Sequence, residues 1–104
     1  MPGKADTELI RIKQTMKRRR INITGKVQGV FYRKSAQARA TALGLSGWVK
    51  NLGNGGVLAE VQGEHFDVNQ FIAWCKEGPQ RARVTGVEVE TVPSKVEQGF
   101  RILY

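Results

Sequence analysis

The sequence predicts an α+β fold in which two helices cover one face of an antiparallel or mixed β-sheet, with a short fifth strand at the C-terminus. Three observations lead to this prediction. The chain has 104 residues, which is the size of a single domain. Apolar residues alternate with polar ones in some segments and recur at helical spacing in two others. Breaks rich in glycine or proline separate these segments and fix their order.

The first strand and the first helix lie on either side of one glycine break. Apolar residues alternate with polar ones over residues 19–27, as in a half-buried strand. Gly29 interrupts that pattern. The apolar spacing then becomes helical over residues 32–43 and stops at Gly44, a residue type favoured just beyond the end of a helix. We therefore expect a strand, a tight loop and a helix in succession.

A hairpin follows the first helix. Residues 47–51 and 57–62 are predicted strands, and the segment between them is rich in glycine and asparagine. Residues of these types adopt the backbone conformations that tight turns require. The two strands are therefore expected to pair with each other.

The second helix is predicted from an apolar face and from two signals at its start. Asp67 and Gln70 have the spacing of a capping box, and Phe66 and Phe71 that of a hydrophobic staple. The helix is expected to end at Gly78, which is followed by proline.

Two more strands complete the pattern. Residues 84–92 form a predicted fourth strand, with a bulge expected near Gly86 because the apolar parity changes there. Residues 100–104 form a short last strand. The order strand, helix, strand, strand, helix, strand, followed by a terminal strand, is typical of a ferredoxin-like split βαβ sandwich.

The positive charge of the chain is concentrated near its N-terminus. The net charge is +8, and the first 20 residues contain seven of the 17 cations. Residues 1–18 are therefore interpreted as a basic, mobile extension, and residues 19–104 as the folded domain. The run at residues 17–20 is interpreted as a solvated cluster before the first strand, in preference to a nonspecific nucleic-acid contact. The charge alone selects neither phosphorylated metabolites nor nucleic acid as the partner.

Composition argues against several kinds of protein and of site. A single cysteine cannot form an internal disulfide, and no segment is apolar enough for a signal peptide or a membrane span. We therefore expect a cytoplasmic, monomeric protein without membrane contact. One histidine and one cysteine do not suggest a metal site, so no metal or other cofactor is expected. His65 is interpreted as a solvated loop residue and Cys75 as a small core residue.

The loop between the first strand and the first helix is the best candidate for chemistry. Backbone N–H groups at such a junction, together with the helix dipole, favour an anion. Arg33 is predicted in the first helical turn, where the dipole disfavours a cation unless an anion is bound there. A phosphate would remove this conflict, because a guanidinium binds two of its oxygens at once. An exposed arginine beside a tight turn explains the spacing equally well.

Asn51 is a second candidate because of the predicted topology. The two strands of a βαβ unit are parallel, so the loop after the first strand and Asn51 at the end of the second open on the same edge of the sheet. Arg33 and Asn51 are therefore expected to converge across one intervening strand. Asn51 is equally well interpreted as a turn residue before the hairpin.

The same segments resemble a known family. Residues 25–33, Gly-Lys-Val-Gln-Gly-Val-Phe-Tyr-Arg, match the first signature of the acylphosphatases. Residues 47–51, Gly-Trp-Val-Lys-Asn, followed by glycine at 55, valine at 57 and glycine at 63, match the second. The resemblance extends from Arg19 to Tyr104 and leaves out the first 18 residues.

The resemblance implies a small hydrolase that cleaves the carboxyl–phosphate bond of acyl phosphates without a metal. It assigns phosphate binding to Gln28, Gly29, Val30, Phe31, Tyr32 and Arg33. It assigns orientation of the attacking water to Asn51, so that Arg33 and Asn51 are the catalytic residues. The implied partners are a small-molecule acyl phosphate, with phosphate or sulfate as product or analogue.

Two alternatives belong to other classes of protein. Ferredoxin-like folds also serve as RNA-binding modules, and residues 29–33 are weakly similar to the aromatic strand motif of such modules. The aromatics here precede a helix, which presents them poorly for stacking, so nucleic acid is not the expected partner. The other alternative is a module of a larger assembly that binds acyl phosphates without turning them over.

Overall fold

The strands and helices occur in the order that the sequence predicts. The computed structural model describes residues 16–104, so most of the predicted N-terminal extension lies outside the described residues. The elements are, in chain order, β1 Met16–Lys26, α1 Tyr32–Ala42, β2 Ser46–Asn51, β3 Val57–Glu64, α2 His65–Glu77, β4 Arg83–Thr91 and β5 Phe100–Leu103.

The five strands form one mixed sheet. Their order across the sheet is β4-β1-β3-β2-β5. β3 is antiparallel to both β1 and β2, β4 is antiparallel to β1, and β5 is parallel to β2. α1 packs against β2 and β5, and α2 packs against β1, β3 and β4. The predicted ferredoxin-like architecture, with a short fifth strand, is therefore confirmed.

The core lies between the helices and the sheet. Ile21 and Ile23 on β1 are completely buried, whereas Asn22 between them is half-buried on the other face. Phe71 on α2 is also completely buried. Full burial of one such side chain stabilises the fold by about 1.5–3 kcal/mol. The period-two pattern of the sequence therefore identifies the core face of β1 correctly.

The predicted irregularity in β4 is confirmed. Thr24 pairs with Gly86, but the next residue of β1, Gly25, pairs with Val84, so one residue of β4 is left unpaired. A Cβ atom at Gly25 would lie 2.1 Å from the carbonyl oxygen of Arg83, and its φ is +123°. Only glycine fits at this position, because both the space and the backbone conformation exclude a side chain.

The start of α2 differs from the prediction. The helix begins at His65, so this residue is the first of the helix and not part of a preceding loop. The cap residue is Glu64, whose side chain makes no capping hydrogen bond. Because β3 leads directly into α2, the predicted capping box of Asp67 and Gln70 falls inside the helix. The predicted staple is wrong as well, since Phe66 is 69% exposed.

The basic run at residues 17–20 is not a solvated cluster before the first strand. β1 already begins at Met16, and Arg18 within it is 1% exposed. The Arg18 guanidinium donates from Nε to Oε1 of Glu60 (2.7 Å) and from Nη1 to Oε1 of Glu97 (2.8 Å). Arg20 binds the other oxygen of Glu60 from Nη2, at 2.8 Å. The folded sheet therefore includes residues 16–18, which the prediction assigned to the extension.

A segment between β4 and β5, residues 92–99, connects the two edges of the sheet. The side chain of Gln62 on β3 binds this segment twice, accepting from the N–H of Lys95 (2.9 Å) and donating to its carbonyl (2.7 Å). Arg18 holds it again through Glu97. These contacts bind the connection to the face of the sheet opposite the helices.

The pairing around Glu60 predicts a large cost for removing Arg18. Burial acts to raise the pKa of the Glu60 carboxyl, but hydrogen bonds and positive charge from Arg18 and Arg20 outweigh it and hold that pKa below its ordinary value. We expect Arg18→Met to lower the free energy of unfolding at pH 7 by about 3 kcal/mol, because two poorly solvated carboxylates lose their buried partner. Urea denaturation measures this loss.

Acid and a second variant serve as controls. A carboxyl group whose pKa is lowered in the folded state stabilises the fold at pH values above the ordinary glutamate pKa. This stabilisation is lost as the pH falls through the folded-state pKa. The difference in the free energy of unfolding between Arg18→Met and the unmodified protein should therefore become smaller in acid. Arg20→Met removes a partner of Glu60 whose side chain is 43% exposed and should cost less than about 1 kcal/mol. Equal losses in both variants would contradict a special role for the buried arginine.

Candidate functional site

The loop between β1 and α1, residues 27–31, presents unpaired backbone donors at the start of a helix. Gly29 and Phe31 have φ angles of +73° and +63°, and Phe31 is the one non-glycine residue with positive φ among residues 16–104. The Ser35 N–H donates to the Phe31 carbonyl at 3.0 Å, which is the first hydrogen bond of the helix. The N–H groups before Ser35 therefore have no partner within α1. Such groups, with the helix dipole, favour an anion.

Gln28 joins this loop to the turn that follows β2. Its Nε2 donates to the carbonyls of Leu52 (2.7 Å) and Gly56 (2.8 Å). The same turn is closed by the Leu52 N–H, which donates to the Gly56 carbonyl at 2.8 Å. Gln28 is one of the residues expected to bind phosphate, and its side chain holds the two loops together. No local pattern in the sequence indicates this contact, because it depends on how the loops meet in space.

Two other residues of the predicted phosphate-binding segment, residues 28–33, direct their side chains into the core. Val30 is 5% exposed and Tyr32 is 2% exposed. The Tyr32 hydroxyl donates to the Cys75 carbonyl at 2.7 Å, and burial raises the pKa of that hydroxyl. Val30 and Tyr32 can therefore offer an anion only their backbone N–H groups.

Arg33 lies in the first turn of α1, as predicted, and the end of β5 orients it. Its Nη1 donates to the Leu103 carbonyl at 3.5 Å, and its guanidinium lies 5.0 Å from the centre of the Tyr104 ring. Neither contact neutralises its charge. The guanidinium is therefore held beside the loop with its charge available to an anion.

Asn51 is the last residue of β2 and pairs with Val57 on β3. β1 and β2 are both antiparallel to the strand between them, so they are parallel to each other and end at the same edge of the sheet. This is the predicted geometry, and it brings Asn51 to the same cavity as Arg33. The equally weighted interpretation of Asn51 as a turn residue is compatible with its position at the end of the strand.

Arg33 and Asn51 both line one cavity of about 270 Å³. Two of its lining side chains are cations, and none is a carboxylate. The lining residues are Val27, Gly29, Phe31, Tyr32, Arg33, Lys34, Asn51, Ile102 and Tyr104. Gln28 and Val30, both expected at the phosphate, are not among them. Ile102 and Tyr104 were not predicted, because the sequence does not show that the last strand lies next to β2, and Lys34 was not predicted either.

The other residues with catalytic potential lie elsewhere. His65 is at the opposite end of the sheet, at the start of α2. Cys75 is completely buried, as expected for a core residue, and burial raises the pKa of its thiol to about 12. Residues 16–104 contain no group of three or more metal-ligating side chains. Within the described chain, the cavity beside Arg33 therefore combines cationic side chains with the start of a helix, an arrangement that favours an anion.

The RNA-binding alternative does not fit the positions of the residues that it would use. Tyr32 is buried in the core and cannot stack on a base, and Phe31 lies in a loop and not on a strand. Arg18 and Arg20 of the basic run are paired with Glu60. These residues therefore do not form the exposed aromatic platform on the sheet that such modules use.

Comparison with known proteins places this geometry in a family. Residues 19–102 match the family model described as Acylphosphatase. An acylphosphatase of Rubrobacter xylanophilus is 51% identical over 87 residues, which are 83% of this chain and 79% of that protein. One of Aeropyrum pernix is 46% identical over 95 residues, 89% of this chain and 94% of that protein. The solved structure of an acylphosphatase from Coxiella burnetii is 34% identical, with a TM-score of 0.86 over 89% of this chain and 98% of that one.

Proposed function

This chain belongs to the acylphosphatase family, whose enzymes hydrolyse acyl phosphates, and we propose from its site that it does so without a metal ion. In this proposal the backbone of residues 28–33 and the Arg33 guanidinium hold the phosphate, and the Asn51 side chain orients the attacking water. The products are a carboxylate and inorganic phosphate. The observation that carries the proposal is that Arg33, Asn51 and the start of α1 share one cavity.

The phosphate-binding part rests on the loop and on one arginine. N–H groups at the start of α1 have no partner within the helix, and Arg33 in the first turn is in none of the ion pairs among the described residues. A bound phosphate accepts from both kinds of donor and offsets the unfavourable position of a cation near a helix N-terminus. The Gln28 side chain holds the loop in place through its two hydrogen bonds to the turn after Asn51.

The hydrolytic part requires positioning more than a strong base. A carboxylate is a good leaving group, and phosphoryl transfer passes through a loose transition state in which the attacking and leaving oxygens are roughly in line. The Asn51 amide can accept a hydrogen bond from a water and hold it for this attack. No histidine and no acidic side chain lines the cavity, and in this proposal the proton of the water passes to a phosphate oxygen of the substrate.

The donors that line the cavity support metal independence. The Arg33 guanidinium and a helix N-terminus can supply the positive charge that a phosphoryl group needs in the transition state. We expect the purified chain to hydrolyse benzoyl phosphate at the same rate with and without an excess of EDTA. Following the loss of benzoyl phosphate by its ultraviolet absorbance measures this.

Two other outcomes of this experiment would contradict the proposal in different ways. Activity that disappears with EDTA and returns with Mg²⁺ would contradict the metal-free mechanism. Benzoyl phosphate that binds, as shown by calorimetry, without being turned over would favour the alternative of a binding module.

Some expectations from the sequence accompany this proposal. We propose that the protein is a monomer in the cytoplasm and that inorganic phosphate or sulfate binds in the loop as product or analogue. No helix in the described chain has both the length and the apolar character needed to cross a membrane. Gel filtration at micromolar concentration tests the oligomeric state.

A further inference from the structure

The end of the sheet that carries the cavity is strongly basic. β1, β2 and β5 end there, β4 and α1 begin there, and α2 ends there. Eight basic side chains lie in the loops at that end or within two positions of an element terminus. They are Lys26, Arg33, Lys34, Lys50, Lys76, Arg81, Arg83 and Arg101. By the same criterion, Glu77 is the one acidic side chain at this end among the described residues.

Seven of these eight cations are in no ion pair among the described residues. All five ion pairs among residues 16–104 involve Glu60 or Glu97, which lie in the middle of the sheet and in the segment between β4 and β5. Arg101, whose Nη2 lies 3.6 Å from Oε2 of Glu97, is the one cation of the basic end among the five. The protein therefore pairs charges on one face of its sheet and leaves most of them unpaired around the cavity.

A single phosphate does not use all of this charge. In the proposed function the phosphoryl group engages the loop and Arg33. Lys34, the next residue of α1, also lines the cavity, is exposed, and is in none of the ion pairs. No acidic side chain lines the cavity to balance it. The second cation is therefore available to the part of the substrate that projects beyond the phosphate.

We propose that this site favours acyl phosphates whose acyl group carries a second anionic group, and that Lys34 is the residue that contacts that group. The inference rests on the proposed function, because it concerns the acyl end of the same substrate. Phe31, 71% exposed, and Tyr104, 95% exposed, line the cavity beside Lys34 and provide apolar surface for the carbon part of the acyl group.

The remaining cations act on such a substrate at longer range. Basic side chains around a cleft raise the local concentration of anions and steer their approach. Their effect falls as salt shortens the screening distance, from about 30 Å at 0.01 M to about 8 Å at 0.15 M. A substrate with an additional negative charge gains more from this field than one without it. The preference should therefore weaken as salt is added.

Two substrates that differ by one carboxylate test the proposal. Benzoyl phosphate and 4-carboxybenzoyl phosphate have the same ring and the same reacting group, and a carboxylate in the para position cannot attack the acyl phosphate internally. We expect kcat/KM at low salt to be higher for the carboxylated compound. We expect Lys34→Gln to reduce the ratio of the two kcat/KM values by about threefold, within the range of an exposed ion pair. Lys34→Arg should keep most of the ratio.

A matched lysine separates local contact from net charge. Lys76 is an exposed lysine at the same end of the sheet that does not line the cavity. Lys76→Gln removes the same charge and should change the ratio much less than Lys34→Gln does. Equal ratios for the unmodified protein and Lys34→Gln, or equal effects of the two glutamine variants, would overturn the assignment to Lys34. Failure to hydrolyse benzoyl phosphate at all would instead overturn the proposed function.

Discussion

Arg33→Ala should lower kcat/KM for benzoyl phosphate by about 10³-fold, because it removes the side-chain cation that contacts the phosphoryl oxygens. Phosphate binding should weaken together with the rate, since the same guanidinium serves the ground state and the transition state. The inhibition constant of inorganic phosphate and the steady-state parameters measure both effects. Arg33→Lys should lie between the alanine variant and the unmodified protein, because it keeps the charge but cannot bind two oxygens in a fork.

The same helix offers a control for this variant. Arg39 is an exposed arginine in the last turn of α1 and does not line the cavity. Arg39→Ala should keep nearly full activity. Unchanged phosphate inhibition in a folded Arg33→Ala protein would show that the phosphate binds elsewhere.

Asn51→Ala is expected to act on the rate and to spare binding. If its amide orients the water, kcat should fall by about 10²-fold, the cost of a poorly placed reactant. KM and the inhibition constant of phosphate should change little, because the loop and Arg33 remain. Steady-state kinetics together with phosphate inhibition separate the two roles.

An exposed asparagine on the other helix is the matched control. Asn69 lies on α2, where its amide contacts His65 at 3.1 Å, and it is not part of the cavity. Asn69→Ala should leave kcat unchanged. Loss of phosphate binding in Asn51→Ala with a normal kcat at saturation would mean that Asn51 binds the phosphate and does not orient the water.

The fold was predictable because its main signals are local. Alternating apolar residues in β1 and helical spacing in α1 depend on a few neighbouring positions, and the order of the elements restricts the topology. The start of α2 shows the limit of such signals. Asp67 and Gln70 have the right spacing for a cap, but the direct connection from β3 starts the helix three residues earlier.

The burial of Arg18 could not be predicted from neighbouring residues. Its partners Glu60 and Glu97 are 42 and 79 positions away in the chain. A run of four cations is typical of a solvated segment, and only the folded sheet brings two carboxylates to one of them. For the candidate site, the topology predicted that Arg33 and Asn51 approach each other, and the shared cavity has that arrangement. The sequence alone did not predict that Lys34 and Tyr104 line the cavity. Tyr104 lies there because the last strand is next to β2, a placement that local patterns do not show.

The two hydrogen bonds of the Gln28 amide have a consequence for the thermodynamics of substrate binding. They connect the β1–α1 loop to the turn immediately after Asn51, so both halves of the cavity are held in register in the free protein. Ordering a flexible loop at the moment of binding would subtract roughly 1–2 kcal/mol per residue from the affinity. In this chain that entropy is lost during folding, and the rigid receptor can engage a small ligand without first closing around it.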